Sequence, residues 1–222
     1  MDDGELGAGG AAERAAVSPP TATGLQPVPF NRMRSLRVTG GTLRGRRAPI
    51  PPGEVRPTSE RARQAYFNIV AGRIAGSCFL DLFAGSGIFS LEALSRGASA
   101  AVAVEQSQRQ CMVIEETAEA LGVHVATLAG DALTALGRLG AGAARKAPRP
   151  LPCAAFDLVY ADPPYDYERY DDLVAAIAGA PLAADALVAV EHRRGTDPFH
   201  DTPLRRTRRA EYGEVWITFF GR

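Results

Sequence analysis

Apolar, strand-like runs alternating with helical stretches predict an α/β fold with a largely parallel sheet. Three observations carry that reading. Runs of five or six mostly apolar residues recur at 78–83, 101–105, 123–128 and 156–161. Segments of helical character separate them, at 88–95, 108–121 and 132–139. Two further runs, 204–210 and 214–220, flank Glu211-Tyr212-Gly213 and predict a closing antiparallel hairpin. At 222 residues the chain is long enough for one such domain with a buried core.

Residues 1–32 are rich in Ala, Gly, Pro and Thr without hydrophobic period, and read as a disordered tail. Met33 precedes the first strand-like run, Leu36-Arg37-Val38-Thr39. Thr58 or Ser59 is placed to cap a helix running to about Val70, with Ala62, Ala65, Tyr66 and Ile69 on its apolar stripe. Cys78–Phe83 then forms a buried strand, Ala84-Gly85-Ser86-Gly87 a tight turn, and Ile88–Ser95 a helix. Gly130-Asp131-Ala132 opens a short helix, and 140–152 reads as a surface loop. The strand at 156–161 runs into Asp162-Pro163-Pro164-Tyr165, followed by a helix near 168–178 and a strand near 186–191. The expected organisation is a tail (1–32), a basic extension (33–76) and a main domain (77–222).

Lys+Arg and Asp+Glu both number 25, so the total charge favours no partner. Three scattered cysteines (Cys78, Cys111, Cys153) suit a reducing cytosol and argue against a disulfide framework. With three scattered histidines, no metal is expected. No apolar run approaches the ~20 residues of a membrane span, and the acidic start lacks a secretory h-region.

Two glycines between strand and helix, in Asp81-Leu82-Phe83-Ala84-Gly85-Ser86-Gly87, let a ligand approach the backbone closely. A dinucleotide site wants a third glycine, and Ser90 stands there instead. Asp81 repels phosphate and suits a cationic sulfonium or ammonium. Glu105, at the next strand end, can accept from two ribose hydroxyls. Asp131, with Ala132 beginning the element after the third strand, is placed to accept from an adenine amino group, or simply to cap its helix. Three acids at successive strand ends fit S-adenosylmethionine, which carries no phosphate.

Asp162-Pro163-Pro164-Tyr165 lies at a strand's carboxyl end, where open α/β sheets bind ligands. Proline offers no N–H, so this backbone presents carbonyls. The Asp162 carboxylate and the Pro163 carbonyl can accept both hydrogens of one planar amino group, with Pro164 stiffening the turn and Tyr165 stacking on the base. The competing reading is an ordinary strand-ending turn.

The neutral total hides a basic block. Residues 32–63 hold nine arginines against Glu54 and Glu60, whereas 1–31 carry a net −3. Arg44, Arg46, Arg47, Arg56, Arg61 and Arg63 are the expected RNA contacts. Arg61 and Arg63 oppose the dipole of their helix, which an anion would compensate. Arg205, Arg206, Arg208 and Arg209 form a second cluster. Trp216, Phe219 and Phe220 read as core or hairpin packing.

The ordered set resembles the bacterial small-subunit ribosomal RNA guanine-N2 methyltransferases of the RsmD type. It comprises Arg37 to Gly45-Arg46, Arg56-Pro57-Thr58 with Arg61, Arg63 and Phe67-Asn68, the Asp81–Gly87 turn, Leu91-Glu92-Ala93-Leu94-Ser95-Arg96-Gly97 and Asp162–Tyr165. The resemblance spans about 34–220. It implies a Rossmann-like class I methyltransferase with a seven-stranded, mostly parallel sheet and S-adenosyl-L-methionine as cofactor. It also implies a guanine of 16S rRNA in the assembling small subunit as substrate. A monomer in the cytoplasm is expected. An adenine-N6 methyltransferase shares the same clamp, and a non-catalytic nucleic-acid-binding module shares the basic block. The long 140–152 loop and the acidic tail depart from the family pattern.

Overall fold

A computed structural model describes residues 35–50, 60–140 and 151–222. Its elements are β1 (Ser35–Arg37), β2 (Arg47–Pro49), α1 (Glu60–Ile69), β3 (Cys78–Leu82), α2 (Ile88–Ser95), β4 (Ala100–Glu105) and α3 (Gln108–Ala120). They continue through β5 (Ala126–Ala129), α4 (Ala132–Gly140), β6 (Phe156–Ala161), α5 (Tyr170–Ala178), β7 (Leu182–Arg193), β8 (Arg205–Tyr212) and β9 (Val215–Gly221). Seven strands form one sheet in the order β5-β4-β3-β6-β7-β9-β8, and β1 and β2 pair as a separate hairpin. The five strands from β5 to β7 are parallel, while β9 runs antiparallel to both β7 and β8. The sheet thus has the predicted count and closing hairpin. No helix among the described residues is long and apolar enough to cross a membrane.

The strands β3, β4 and β6 are apolar along almost their whole length because helices cover both faces of the sheet. One face packs Phe79, Tyr160 and Phe219 against Tyr66 and Phe67 of α1, Phe89 of α2 and Ile114 of α3. The other packs Leu80, Val159 and Val188 against Leu136 and Leu139 of α4 and Leu173 and Ile177 of α5. Tyr66 and Phe67 belong to the 33–76 extension yet sit in the core of the main sheet, so these two expected domains share one hydrophobic core.

Four departures from the sequence reading have physical causes. The strand β2 ends in Pro49 and is too short for any period; it exists through pairing with β1. The strand β5 starts at Ala126 rather than 123. The strand β7 begins at Leu182, because Phe156 of β6 pairs with that residue despite the Ala-rich stretch that follows. Cys78 and Cys153 are joined by a disulfide, against the expectation of unpaired thiols. Cys78 opens β3 and Cys153 lies just ahead of β6, and the β3–β6 pairing brings their Cα atoms to 6.3 Å. Sequence separation gives no hint of that neighbourhood. The tail, Arg56, the proposed helix cap at 58–59 and loop residues 141–150 lie outside the described residues.

Arg63 is overturned as an RNA contact. It faces inward from α1, fully buried, with Nε 3.8 Å from Glu92 Oε2 and Nη2 donating to the Arg37 carbonyl at 2.8 Å. The compensating anion is therefore a carboxylate of the fold. Its position also corrects the helix stripe: Ala62, Arg63, Tyr66 and Phe67 are the buried set, and Ala65 and Ile69 only part-buried. Glu92, itself buried, also accepts from Arg96 Nη2 (2.7 Å), the Thr39 amide (2.8 Å) and the Thr39 hydroxyl. Ser95 adds to the same anchor, accepting the Leu43 amide on Oγ and donating to the Gly40 carbonyl. Gly41 has φ 74°, and a Cβ there would collide with the Ser95 carbonyl, so only glycine fits. The Glu92–Gly97 motif thus clamps the basic hairpin to α2.

Glu92→Ala leaves Arg63 charged and unpaired in the core. We expect it to cost about 3–5 kcal/mol in urea unfolding, whereas Arg44→Ala on the exposed hairpin stays within about 0.5 kcal/mol. Equal midpoints for the two variants would refute the anchor.

Candidate active site

The parallel ladder assembles the site. Asp81 of β3 pairs in register with Ala103 of β4 on one side and Tyr160 of β6 on the other. The glycine turn after β3, Glu105 at the end of β4 and Asp162 after β6 therefore meet at one edge of the sheet. The Asp162 amide donates to the Leu82 carbonyl at 3.3 Å, tying the Asp-Pro-Pro-Tyr turn directly to β3.

The glycine turn is held from beneath. The Ala84 amide donates to the Val104 carbonyl (3.0 Å), and Gly87 N–H closes the turn onto Ala84 (2.7 Å). Gly87 has φ 72°, and a Cβ there would press on Ile114 at 2.9 Å. Phe83 has φ 61°, the one positive φ outside glycine among the described residues. Backbone in that region is strained for a bulky side chain, and such strain clusters at ligand sites. The Phe83 ring packs edge-on to Tyr167, 5.4 Å between centroids, joining the glycine turn to the segment after Tyr165.

The acids take distinct roles. The Asp81 carboxylate is 2% exposed and accepts from both the amide (3.0 Å) and the hydroxyl (2.8 Å) of Ser90. It therefore grips the first turn of α2, and Ser90 stands where a dinucleotide fold would put its third glycine. Sequence reasoning saw only the missing glycine and not this pairing. Glu105 is half-buried; Oε2 accepts from Gly85 N–H (3.0 Å) and Oε1 from Ser107 N–H (2.9 Å). Each of its oxygens keeps a second lone pair for a ligand hydroxyl. Asp131 is exposed and caps α4, Oδ1 accepting from the Thr134 amide at 3.0 Å, with buried Ala132 as the first helical residue. The capping reading of Asp131 is thus realised, and Oδ2 makes no part of it.

Asp162 is half-buried, Pro163 buried, and Pro164 and Tyr165 exposed. The Pro164 carbonyl is already engaged by the Tyr167 amide at 2.9 Å. Tyr165 is 63% exposed, and the Arg193 guanidinium lies 5.4 Å from its ring centroid. A cleft of about 480 Å³ opens beside it, lined by Tyr165, Tyr167, Tyr170, Arg193, Pro198 and His200 among others. Arg44, Arg46 and Arg47 are exposed on the hairpin, as is Arg61 at the start of α1. Phe219 and Phe220 are core residues as expected, whereas Trp216 carries the Arg209 guanidinium 4.2 Å above its ring.

This donor set rejects a pyrophosphate: Glu105 already holds Gly85 N–H, and Asp81, Glu105 and Asp162 surround the turn with carboxylates. It suits a phosphate-free, cationic ligand with hydroxyls. The crowding has an electrostatic consequence. Burial pushes Asp81 up to about 7, Ser90 opposing and the charges of Asp162 and Glu105 adding to the rise.

The family model described as Conserved hypothetical protein 95 matches residues 36–221. Ribosomal RNA small subunit methyltransferase D of Escherichia coli strain K12 is 34% identical over 160 residues, covering 70% of this chain and 74% of that protein. The solved structure of Escherichia coli yhhF superposes with a TM-score of 0.70 at 27% identity, covering 85% of this chain and 98% of that one. The ribosomal protein L11 methylase of Lactobacillus delbrueckii subsp. bulgaricus shares the fold at a TM-score of 0.57 and 18% identity, over 78% of this chain and 83% of its own.

Asp81 binds its proton more tightly folded than unfolded, where its pKa lies near 4. Its contribution to stability is therefore greatest at low pH, falls as pH rises from about 4 to about 7, and is constant above. Asp81→Asn removes that slope. In urea unfolding at a series of pH values, the variant should gain on wild type by on the order of 2–4 kcal/mol across this window. A difference that does not vary with pH would rule this out.

Proposed function

Because the chain belongs to the Conserved hypothetical protein 95 family and is a homologue of ribosomal RNA small subunit methyltransferase D, we propose that it methylates the exocyclic N2 amino group of a guanine in 16S rRNA. Its methyl donor is S-adenosylmethionine, and its substrate is the small ribosomal subunit or an assembly intermediate, met by a monomer in the cytoplasm. The observation that carries this reading is the β3–β6 register, which sets the Asp162–Tyr165 turn against the glycine turn.

Bound at the glycine turn, S-adenosylmethionine would supply a methyl carried on a sulfonium sulfur; an amine nitrogen would take that methyl as the C–S bond breaks, the bonding pair leaving with the thioether S-adenosylhomocysteine. Glu105 would accept from the ribose hydroxyls, and Asp131 would accept from the adenine amino group. Asp81 fixes the start of α2, so the turn keeps its shape as the ligand enters. The guanine amine is a poor nucleophile because its lone pair is delocalised into the ring. Hydrogen bonds from its two N–H groups to the Asp162 carboxylate and the Pro163 carbonyl turn that lone pair toward the methyl. Orientation and fixed charge provide most of the rate. After transfer the nitrogen is strongly acidic and passes one proton to Asp162. Tyr165 stacks on the extruded base, and Arg193 keeps its ring upright. Arg44, Arg46, Arg47 and Arg61 meet phosphates, with Arg56 assigned the same role.

Asp162→Ala should lower methyl transfer to small subunits at least about 1,000-fold while calorimetry still detects cofactor binding; wild-type turnover would refute the clamp. Tyr165→Ala should weaken the RNA complex by about 1–3 kcal/mol. Replacing Arg44, Arg46 and Arg47 together by Glu should weaken RNA binding and flatten its dependence on salt, by about 0.7–0.9 for each phosphate these arginines neutralise. A salt slope equal to wild type would remove the hairpin from the interface.

A further inference from the structure

One buried acid at the same sheet edge has no part in the steps above. Glu191 lies in β7, beside β6. Ala161 pairs with Val190 across that parallel ladder, so the next residues along, Asp162 and Glu191, are neighbours at the carboxyl ends of adjacent strands. Tyr160 pairs with Ala189, and alternation then puts Tyr160, Asp162 and Glu191 on one face of the sheet, together with Asp81. Glu191 is 6% exposed, and its Oε2 accepts the Tyr160 hydroxyl at 2.5 Å. The Tyr160 ring is itself locked, stacked on Phe89 at 3.9 Å and against Tyr66 at 4.7 Å. The Tyr160 hydroxyl is thus a fixed donor that holds the Glu191 carboxyl in place.

We propose that Glu191 is a positioning residue for methyl transfer: anchored by Tyr160, it holds one proton beside Asp162, so that Asp162 is the ionised acceptor presented to the base amine. This role rests on the reading of Asp162 given above. Two carboxylates at adjacent strand ends cannot both ionise without cost in a dry setting, and the proton goes to the more deeply buried one. Burial pushes Glu191 well above the carboxylate range, the Asp162 charge adds to that rise, and the Tyr160 hydrogen bond opposes it. Among the described residues, no cation is one of the groups acting on it. The remaining titratable groups of the cluster are Asp81 of β3, Tyr66 of α1 and Tyr170 of α5; β9 presents Ile217 opposite Glu191. Burial, with the charge of Asp162 adding to it, holds Tyr170 at about 12, so it stays protonated too. The cluster thus turns one half-buried acid, Asp162, toward the substrate, with the Glu191 carboxyl and the tyrosine hydroxyls of Tyr66, Tyr160 and Tyr170 protonated behind it.

A carboxyl that merely caps the Tyr160 hydroxyl would affect stability alone. The test uses the full chain, with Glu191→Gln, which keeps an acceptor for Tyr160 but cannot ionise, and Glu191→Ala, which keeps neither. An infrared difference spectrum of wild type minus Glu191→Gln at neutral pH should show the C=O stretch of a protonated carboxyl, and needs no RNA. Single-turnover transfer to small subunits should fall at least about tenfold in Glu191→Ala and return to within about threefold in Glu191→Gln, with cofactor affinity within about twofold throughout. The acid limb of the rate profile should have the same midpoint in Glu191→Gln as in wild type, since Asp162 has a neutral neighbour in both. The proposal is overturned by an absent carboxyl band, by Glu191→Ala turning over at the wild-type rate, or by an acid limb about one unit lower in Glu191→Gln. Should Glu191→Ala fail to fold, the infrared band and the acid limb decide. Wild-type protein that methylates no small-subunit RNA would sink the proposed function, and this role with it, whatever the infrared band shows.

Discussion

Parallel strands end together, so the side chains that close them crowd into one place. In this sheet β4, β3, β6 and β7 are adjacent, and Glu105, Asp81, Asp162 and Glu191 lie at or within two residues of their carboxyl ends. Four acids cannot share a partly dry edge as four charges. The fold resolves the conflict by giving each a different depth and a different partner. Asp81 is buried and tied to Ser90, Glu191 is buried and tied to Tyr160, Glu105 reaches the backbone of the glycine turn, and Asp162 stands half-buried at the mouth. The chemistry of the site depends on that division of depth, because an acid's depth decides whether it holds a proton or a charge.

A fifth carboxylate, Glu92, does for the basic hairpin what register does for the acids. It lies inside α2 and ties together α1 through Arg63, the hairpin through Thr39, and its own helix through Arg96. The hairpin arginines are exposed because its anchor is internal: one arginine is consumed as a structural cation, and the others remain outside. Tyr66 of α1, at the back of Tyr160, joins this same segment to the floor of the candidate active site. The segment expected to meet RNA and the strand that leads into the Asp162–Tyr165 turn are therefore packed on one another, with a common core.

Much of this was legible in order of residues. The strands from Cys78 and Phe156, the helix Ile88–Ser95 and the closing hairpin followed from apolar runs and turn residues, which act over a few positions. The turn after β6 was legible because Asp-Pro-Pro-Tyr restricts its own backbone whatever surrounds it. Arg63 was misread because a charge on a helix looks the same in sequence whether a phosphate or a buried Glu92 answers it. The bond between Cys78 and Cys153 was missed because the two residues are 75 positions apart in the chain and only the pairing of β3 with β6 brings them together.

The sequence by itself determined where strands and helices lie, which turn carries glycine, and which acids stand at strand ends, since each depends on local periodicity and backbone restriction. Only the tertiary structure decided which of those acids lie beside one another and how deep each is buried. That requires the strand order and register of the assembled sheet, which arise from packing between distant segments. Glu191 illustrates the difference: in the chain it is one acid after an apolar run, and in the sheet it is the neighbour of Asp162.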